Sequence, residues 1–108
     1  MRWTATFRIL LVCLLGLTAN ATAADALWID VRSPAEYATG HLSLAINLPV
    51  ADIVNRITAV EPDPNRPIKL YCAKGGRAQQ AKLALEAAGY RDVTNEGGYA
   101  DLISGGQQ

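Results

Sequence analysis

The sequence is poor in the side chains that build metal and nucleotide sites. Its 108 residues hold one histidine and two cysteines, and one of those cysteines, Cys13, lies in an apolar N-terminal stretch. With one histidine and one cysteine left beyond that stretch, a four-ligand zinc site within the chain is excluded. Neither G-x-G-x-x-G nor G-x-x-x-x-G-K-[ST] occurs, which removes both nucleotide fingerprints. Ten basic residues balance ten acidic ones and form no cluster, so nothing marks a nucleic acid as a partner. The longest apolar run, Ile9 to Leu15, is too short to span a bilayer, which takes about 20 residues.

What the N-terminus does have is the layout of a secretory signal peptide. Arg2 and Arg8 precede or border the apolar run, no acid occurs before Asp25, and Thr18-Ala19-Asn20-Ala21-Thr22-Ala23-Ala24 offers small residues at alternating positions. Residues 1–23 are therefore expected to be a signal peptide and residues 24–108 the mature domain. Val12 before Cys13 is bulky where a lipoprotein cleavage site needs a small residue, which argues against lipidation. Removing residues 1–23 takes Arg2 and Arg8 away and leaves a net charge of −2. The expected product is exported, periplasmic in a two-membrane bacterium, without stable membrane association after cleavage.

The remaining chain alternates strand and helix signals. Ala26–Val31 reads as a buried strand, and Ser33-Pro34-Ala35-Glu36 as a helix start with a cap, a first-turn proline and an acid. That helix should reach Ala38 and stop at Gly40. A second strand spans Ala45–Pro49, and Val50, Ile53, Val54, Ile57 and Val60 follow at helical spacing. After a proline-rich loop, Ile68–Tyr71 forms a third strand with Cys72 directly behind it. A helix is expected from about Arg77 to Ala88, stopped by Gly89. Asp92–Asn95 is the fourth strand, Glu96-Gly97-Gly98 a turn, Tyr99–Ile103 a last helix and the rest a frayed tail. The pattern predicts one α/β domain, a small parallel sheet of about four strands flanked by helices. Ligands of such sheets bind beyond the carboxyl ends of the strands, where Asp30, Cys72 and Glu96 fall.

A lone cysteine in an exported protein is buried filler, an intermolecular disulfide or a reactive group. Its neighbours favour the last. Successive N–H groups from Ala73 to Arg77 can curl around one point because Gly75 and Gly76 tolerate positive φ, and the following helix adds its positive end. Lys74 and Arg77 add cationic side chains. A field that holds an anion also stabilises a thiolate, lowering a thiol from its usual value of about 8.5. Cys72 is thus the expected catalytic nucleophile, and Ala73, Lys74, Gly75, Gly76 and Arg77 the expected substrate-binding loop.

These residues resemble a known family. Trp28-Ile29-Asp30-Val31-Arg32, then Pro34, Glu36 and Tyr37, then Gly40-His41, Ala45-Ile46-Asn47-Leu48-Pro49, the strand–cysteine loop and Gly97-Gly98 are similar in order and spacing to the signatures of rhodanese domains, most of all the small single-domain exported members. The resemblance implies thiosulfate sulfurtransferase activity. A small anionic sulfur donor would pass its sulfane sulfur to Cys72 as a persulfide, and a nucleophilic acceptor, cyanide or a thiol, would remove it. Lys74 and Arg77 would draw in the dianion, and no metal or organic cofactor is required. The resemblance also implies that the four residues between Cys72 and Arg77 make a sulfur-sized loop, since cysteine phosphatases and arsenate reductases place five there and commonly a histidine where Tyr71 stands.

Two other readings remain at this point: a non-catalytic persulfide carrier or anion-binding module, which needs the same cradle, and a cysteine phosphatase or arsenate reductase-like enzyme. A thiol redox protein is disfavoured because no second mature cysteine can resolve a disulfide. His41 is expected to be a structural hydrogen-bonder. Asp30 and Arg32 are expected to pair and pin loop ends, with contact to the Cys72 loop open for Asp30 and Glu96. Trp28, Tyr37, Tyr71 and Tyr90 are expected to pack.

Overall fold

A computed structural model describes residues 25–108; the expected signal segment and Cys13 lie outside the described residues. The chain runs β1 (Leu27–Asp30), α1 (Pro34–Thr39), β2 (Ile46–Asn47), α2 (Ile53–Val60), β3 (Ile68–Cys72), α3 (Gly76–Ala87), β4 (Val93–Gly98) and α4 (Tyr99–Ser104). The four strands form one parallel sheet in the order β2-β1-β3-β4. The chain winds outward from β1 to β2 and then crosses back to β3. The carboxyl ends of β1 and β3 therefore meet where the winding reverses, the place where open α/β sheets hold ligands.

Alternation along the strands sorts the two faces. Ile29 and Val31 from the β1 end, with Ile68, Leu70 and Cys72 of β3, face Ile53 and Ile57 of α2 and Ala78, Ala81 and Leu85 of α3. Small alanines on α3 let that helix sit close to the sheet. On the other face Tyr71 packs with Leu42 and Ala45, and with Trp28 of β1 and Tyr99 and Leu102 of the α4 segment. The aromatic residues thus pack as the sequence predicts, and Tyr90 joins the first cluster.

The expected elements are all present, with shifted limits. Pro49 to Asp52 closes a turn through the Asp52 N–H donating to the Pro49 carbonyl at 2.8 Å, so α2 starts at Ile53 instead of Val50. β2 shrinks to two residues because it is an edge strand paired only with β1. Helix α3 begins at Gly76, one residue early. The expected turn at Glu96–Gly98 is instead part of β4, because Gly98 pairs with Cys72. No helix among the described residues is long and apolar enough to cross a membrane.

The first helix ends as its sequence dictates. Ser33 Oγ accepts from the Glu36 N–H at 3.2 Å while Glu36 Oε1 accepts from the Ser33 N–H at 3.1 Å, the reciprocal capping box that satisfies two otherwise orphaned donors. Gly40 then closes the helix with its N–H on the Tyr37 carbonyl.

Candidate active site

Cys72 is the last residue of β3 and only 1% exposed. Its side chain lies on the α2/α3 face, and the chain turns immediately so that the next residues circle its sulfur. The Gly75 N–H donates to Cys72 Sγ at 2.9 Å and the Ala78 N–H at 3.4 Å. Gly75 makes the turn possible: its φ of +102° lies in the left-handed region, which side chains with a Cβ rarely adopt. Gly76, by contrast, is an ordinary helical residue at the start of α3, so only one of the two glycines expected to use positive φ does so.

Burial pushes the Cys72 thiol up, but N–H groups of Ala78, Lys74, Gly75 and Arg77 outweigh it and hold the thiol below its ordinary value. The ring of donors is thus displaced along the chain from the expected one. Ala78, not anticipated from the sequence, contributes from the first turn of α3. Ala73 instead turns its carbonyl towards β4, where a Cβ built on Gly98 would overlap it. The helical signal for Ala78 was present, since any first-turn N–H lacks an intrahelical partner.

The two cationic side chains of the loop differ in their circumstances. Arg77 donates from Nη1 to Glu36 Oε1 at 2.8 Å and from Nη2 to Glu36 Oε2 at 3.0 Å. This fork holds the Glu36 carboxyl down to about 2, with help from the Ser33 N–H, and raises Arg77 in turn. Glu36 therefore caps α1 and clasps α3 across the site. Lys74 is exposed and makes no ion pair among the described residues.

Asp30 and Arg32 pair as expected, and do so away from the sulfur. Asp30 is wholly buried. Its Oδ1 accepts from the Arg32 N–H at 2.9 Å and from Nε at 3.0 Å, and Oδ2 accepts from Nη2 at 2.6 Å. Arg32 also reaches the Gly40 carbonyl at 2.7 Å and lies 4.5 Å from the Tyr99 ring centre. The pair sits on the tyrosine face of the sheet, and Asp30 makes its side-chain hydrogen bonds to Arg32 and none to the Cys72 loop, acting on Arg77 only through its charge. Asn47 Nδ2 ties the same corner by donating to the Asp30 and Arg32 carbonyls at 3.0 and 2.9 Å. His41 is a structural hydrogen-bonder: its Nδ1 lies 2.8 Å from the Tyr37 carbonyl oxygen, which makes it the donor, and its ring stacks on Tyr37 at 3.5 Å. Glu96 accepts from Thr94 Oγ1 and leaves the loop alone; its neighbour Asn95 makes that contact instead, donating to the Gly75 carbonyl at 3.0 Å.

A doubly wound four-stranded sheet with a cysteine at the end of its third strand, ringed by main-chain donors, defines the class, and the comparisons agree. The Rhodanese-like domain family matches residues 16–104; the chain belongs to this family. It is 43% identical over 75 residues to the thiosulfate sulfurtransferase PspE of Escherichia coli K12, covering 69% of this chain and 72% of that one. It is 37% identical to a sulfurtransferase of Allochromatium vinosum, covering 69% and 68%. Among solved structures, a rhodanese with anions from E. coli superposes with a TM-score of 0.69 at 42% identity, covering 71% of this chain and 91% of the other.

Proposed function

We propose that the chain is an exported thiosulfate sulfurtransferase working through a persulfide on Cys72. The observation that carries this reading is the ring of main-chain N–H groups around Cys72 Sγ, which lowers the thiol despite its burial. That field raises the share of the thiolate, the form that attacks. Cys72 Sγ attacks the outer sulfur of thiosulfate, the sulfur–sulfur bond of the donor breaks, and sulfite leaves with the bonding pair. The new terminal sulfur of the Cys72 persulfide occupies the mouth of the loop. Cyanide or a thiolate then attacks that sulfur, forming thiocyanate or a new persulfide and returning Cys72 as thiolate.

The roles divide along the loop. Lys74 supplies the uncompensated positive charge that draws in the dianion and stabilises departing sulfite. Arg77 contributes mainly its N–H, since its guanidinium is engaged by Glu36. Ala73, Gly75 and Gly76 form the rest of the donor-binding loop, with Gly75 setting its curvature. The four residues between Cys72 and Arg77 favour a single sulfur atom over a tetrahedral phosphate or arsenate.

Intact mass measurement of the protein before and after thiosulfate, followed by cyanide, tests this directly. One sulfur atom should be gained on Cys72, discharged by cyanide and absent in Cys72→Ser. Loading without repeated turnover would make the protein a sulfur carrier. No loading by a thiol that still alkylates would discard thiosulfate and turn attention to arsenate and aryl phosphates.

A further inference from the structure

The loop around Cys72 is held from outside by a residue that the transfer chemistry leaves unused. Asn95 Nδ2 donates to the Gly75 carbonyl at 3.0 Å and to Gln79 Oε1 at 3.2 Å, while Asn95 Oδ1 accepts from the Gly97 N–H at 2.9 Å. The same Gly75 carbonyl accepts the first N–H bond of α3, from Gln79 at 3.0 Å. Gly75 is thus fixed at both ends, its N–H by the sulfur and its carbonyl by Asn95 and α3. Left to itself, a glycine at φ +102° has more conformational freedom than any other residue.

Strand register explains how Asn95 comes to be there. Leu70 pairs with Asn95 and Cys72 with Gly98, so two steps along β3 are matched by three along β4. The extra residue is a bulge, a device that bends a strand and re-aims side chains near active sites. Asn95 Oδ1 closes this bulge through Gly97, and its amide nitrogen reaches the loop. Gly98, just beyond, leaves room for the Ala73 backbone.

We propose that Asn95 is a positioning residue for the nucleophile: its amide holds Gly75 in the left-handed conformation that aims the Gly75 N–H at Cys72 Sγ. This role rests on the reading of Cys72 as the nucleophile. Without the amide, Gly75 is released to other conformations and the sulfur loses a donor that supports its ionised form.

Asn95→Ser tests the role. Serine keeps an oxygen that can accept from Gly97, as in a serine turn, but is too short to reach the Gly75 carbonyl. The charged side chains nearest the loop, Lys74, Arg77 of α3 and its partner Glu36 of α1, are unchanged, as are Asp30 of β1, paired with Arg32, and Glu96 of β4, bonded to Thr94. The pH profile of Cys72 alkylation by iodoacetamide should move upward, with about tenfold less thiolate at neutral pH, the effect of losing one hydrogen bond to a charged group. Gln79→Ala, which removes the other partner of the amide, should leave the profile in place. An Asn95→Ser protein that melts lower yet keeps the original alkylation profile would show that Asn95 serves the fold alone and overturn the proposal. Should Asn95→Ser not fold, Asn95→Asp keeps the Gly97 turn and sets an acceptor against the Gly75 carbonyl. An upward shift that survives high salt supports the role; no shift, or one that salt abolishes as it would a simple charge effect, overturns it. Alkylation requires no sulfur donor, so a protein that fails to load from thiosulfate but shifts its profile in Asn95→Ser would lose the donor assignment and keep the role of Asn95.

Discussion

At the scale of single residues, the proposed mechanism separates activation of the sulfur from attraction of the donor. The N–H groups act on Cys72, whereas in that mechanism donor attraction falls to Lys74, because Glu36 already compensates Arg77. Lys74→Ala should therefore raise KM for thiosulfate about fivefold, the worth of one exposed charge contact of roughly 1 kcal/mol, and lower kcat as well, because the same charge stabilises departing sulfite. Added salt should narrow the difference between the two proteins. Steady-state kinetics at two salt concentrations measure both effects. The Glu36–Arg77 clasp has its own signature in acid. Glu36 binds its proton less readily in the folded protein, at about 2 instead of 4.5. Its contribution to stability is therefore complete above about pH 4.5 and vanishes as pH falls through about 2. The melting-temperature gap between the protein and Glu36→Gln should be widest near neutrality and close over that window.

At the scale of elements, the end of β4 serves as the mould for the loop. Gly98→Ala would drive a Cβ into the Ala73 carbonyl, so either strand or loop must move. It should cost about 1–3 kcal/mol by denaturant melting, the usual range for overpacking, and reduce persulfide loading by a larger factor than that loss of stability explains. Gly97-Gly98 was visible in the sequence, though as a turn and not as the end of β4, and so was the position of Cys72 behind a buried strand. The Ser33–Glu36 cap was also legible, because it is local and needs only a three-residue spacing. The second partner of Glu36 was not, since Arg77 lies 41 positions further on and only the folded sheet brings α1 to the start of α3. Asn95 escaped notice for the same reason: its polar side chain reads as a strand end until the β4 bulge carries it to Gly75. Where pairing depends on register, neighbours in the sequence are a poor guide; contact with the loop was left open for Glu96, and the adjacent amide of Asn95 makes it.

At the scale of the whole molecule, one small sheet must anchor everything. Ile57 of α2 is 1% exposed and sits among the residues that back the Cys72 face. Ile57→Ala should cost about 2–5 kcal/mol in chemical denaturation, a large share of the roughly 5–15 kcal/mol that holds an ordinary domain together. The α/β architecture and its parallel strands were legible because apolar alternation and punctuating prolines and glycines repeat along the chain; the strand order was not, since it depends on which way each crossover turns. The ring of donors around Cys72 has a wider consequence. Its hydrogen bonds come from the main chain, which every amino acid carries alike, and the side chains at positions 73 and 74 point outward into solvent. If the loop receives an anion as proposed, substitutions at those two positions can retune which anion is welcomed at its mouth while leaving the donors to the sulfur in place.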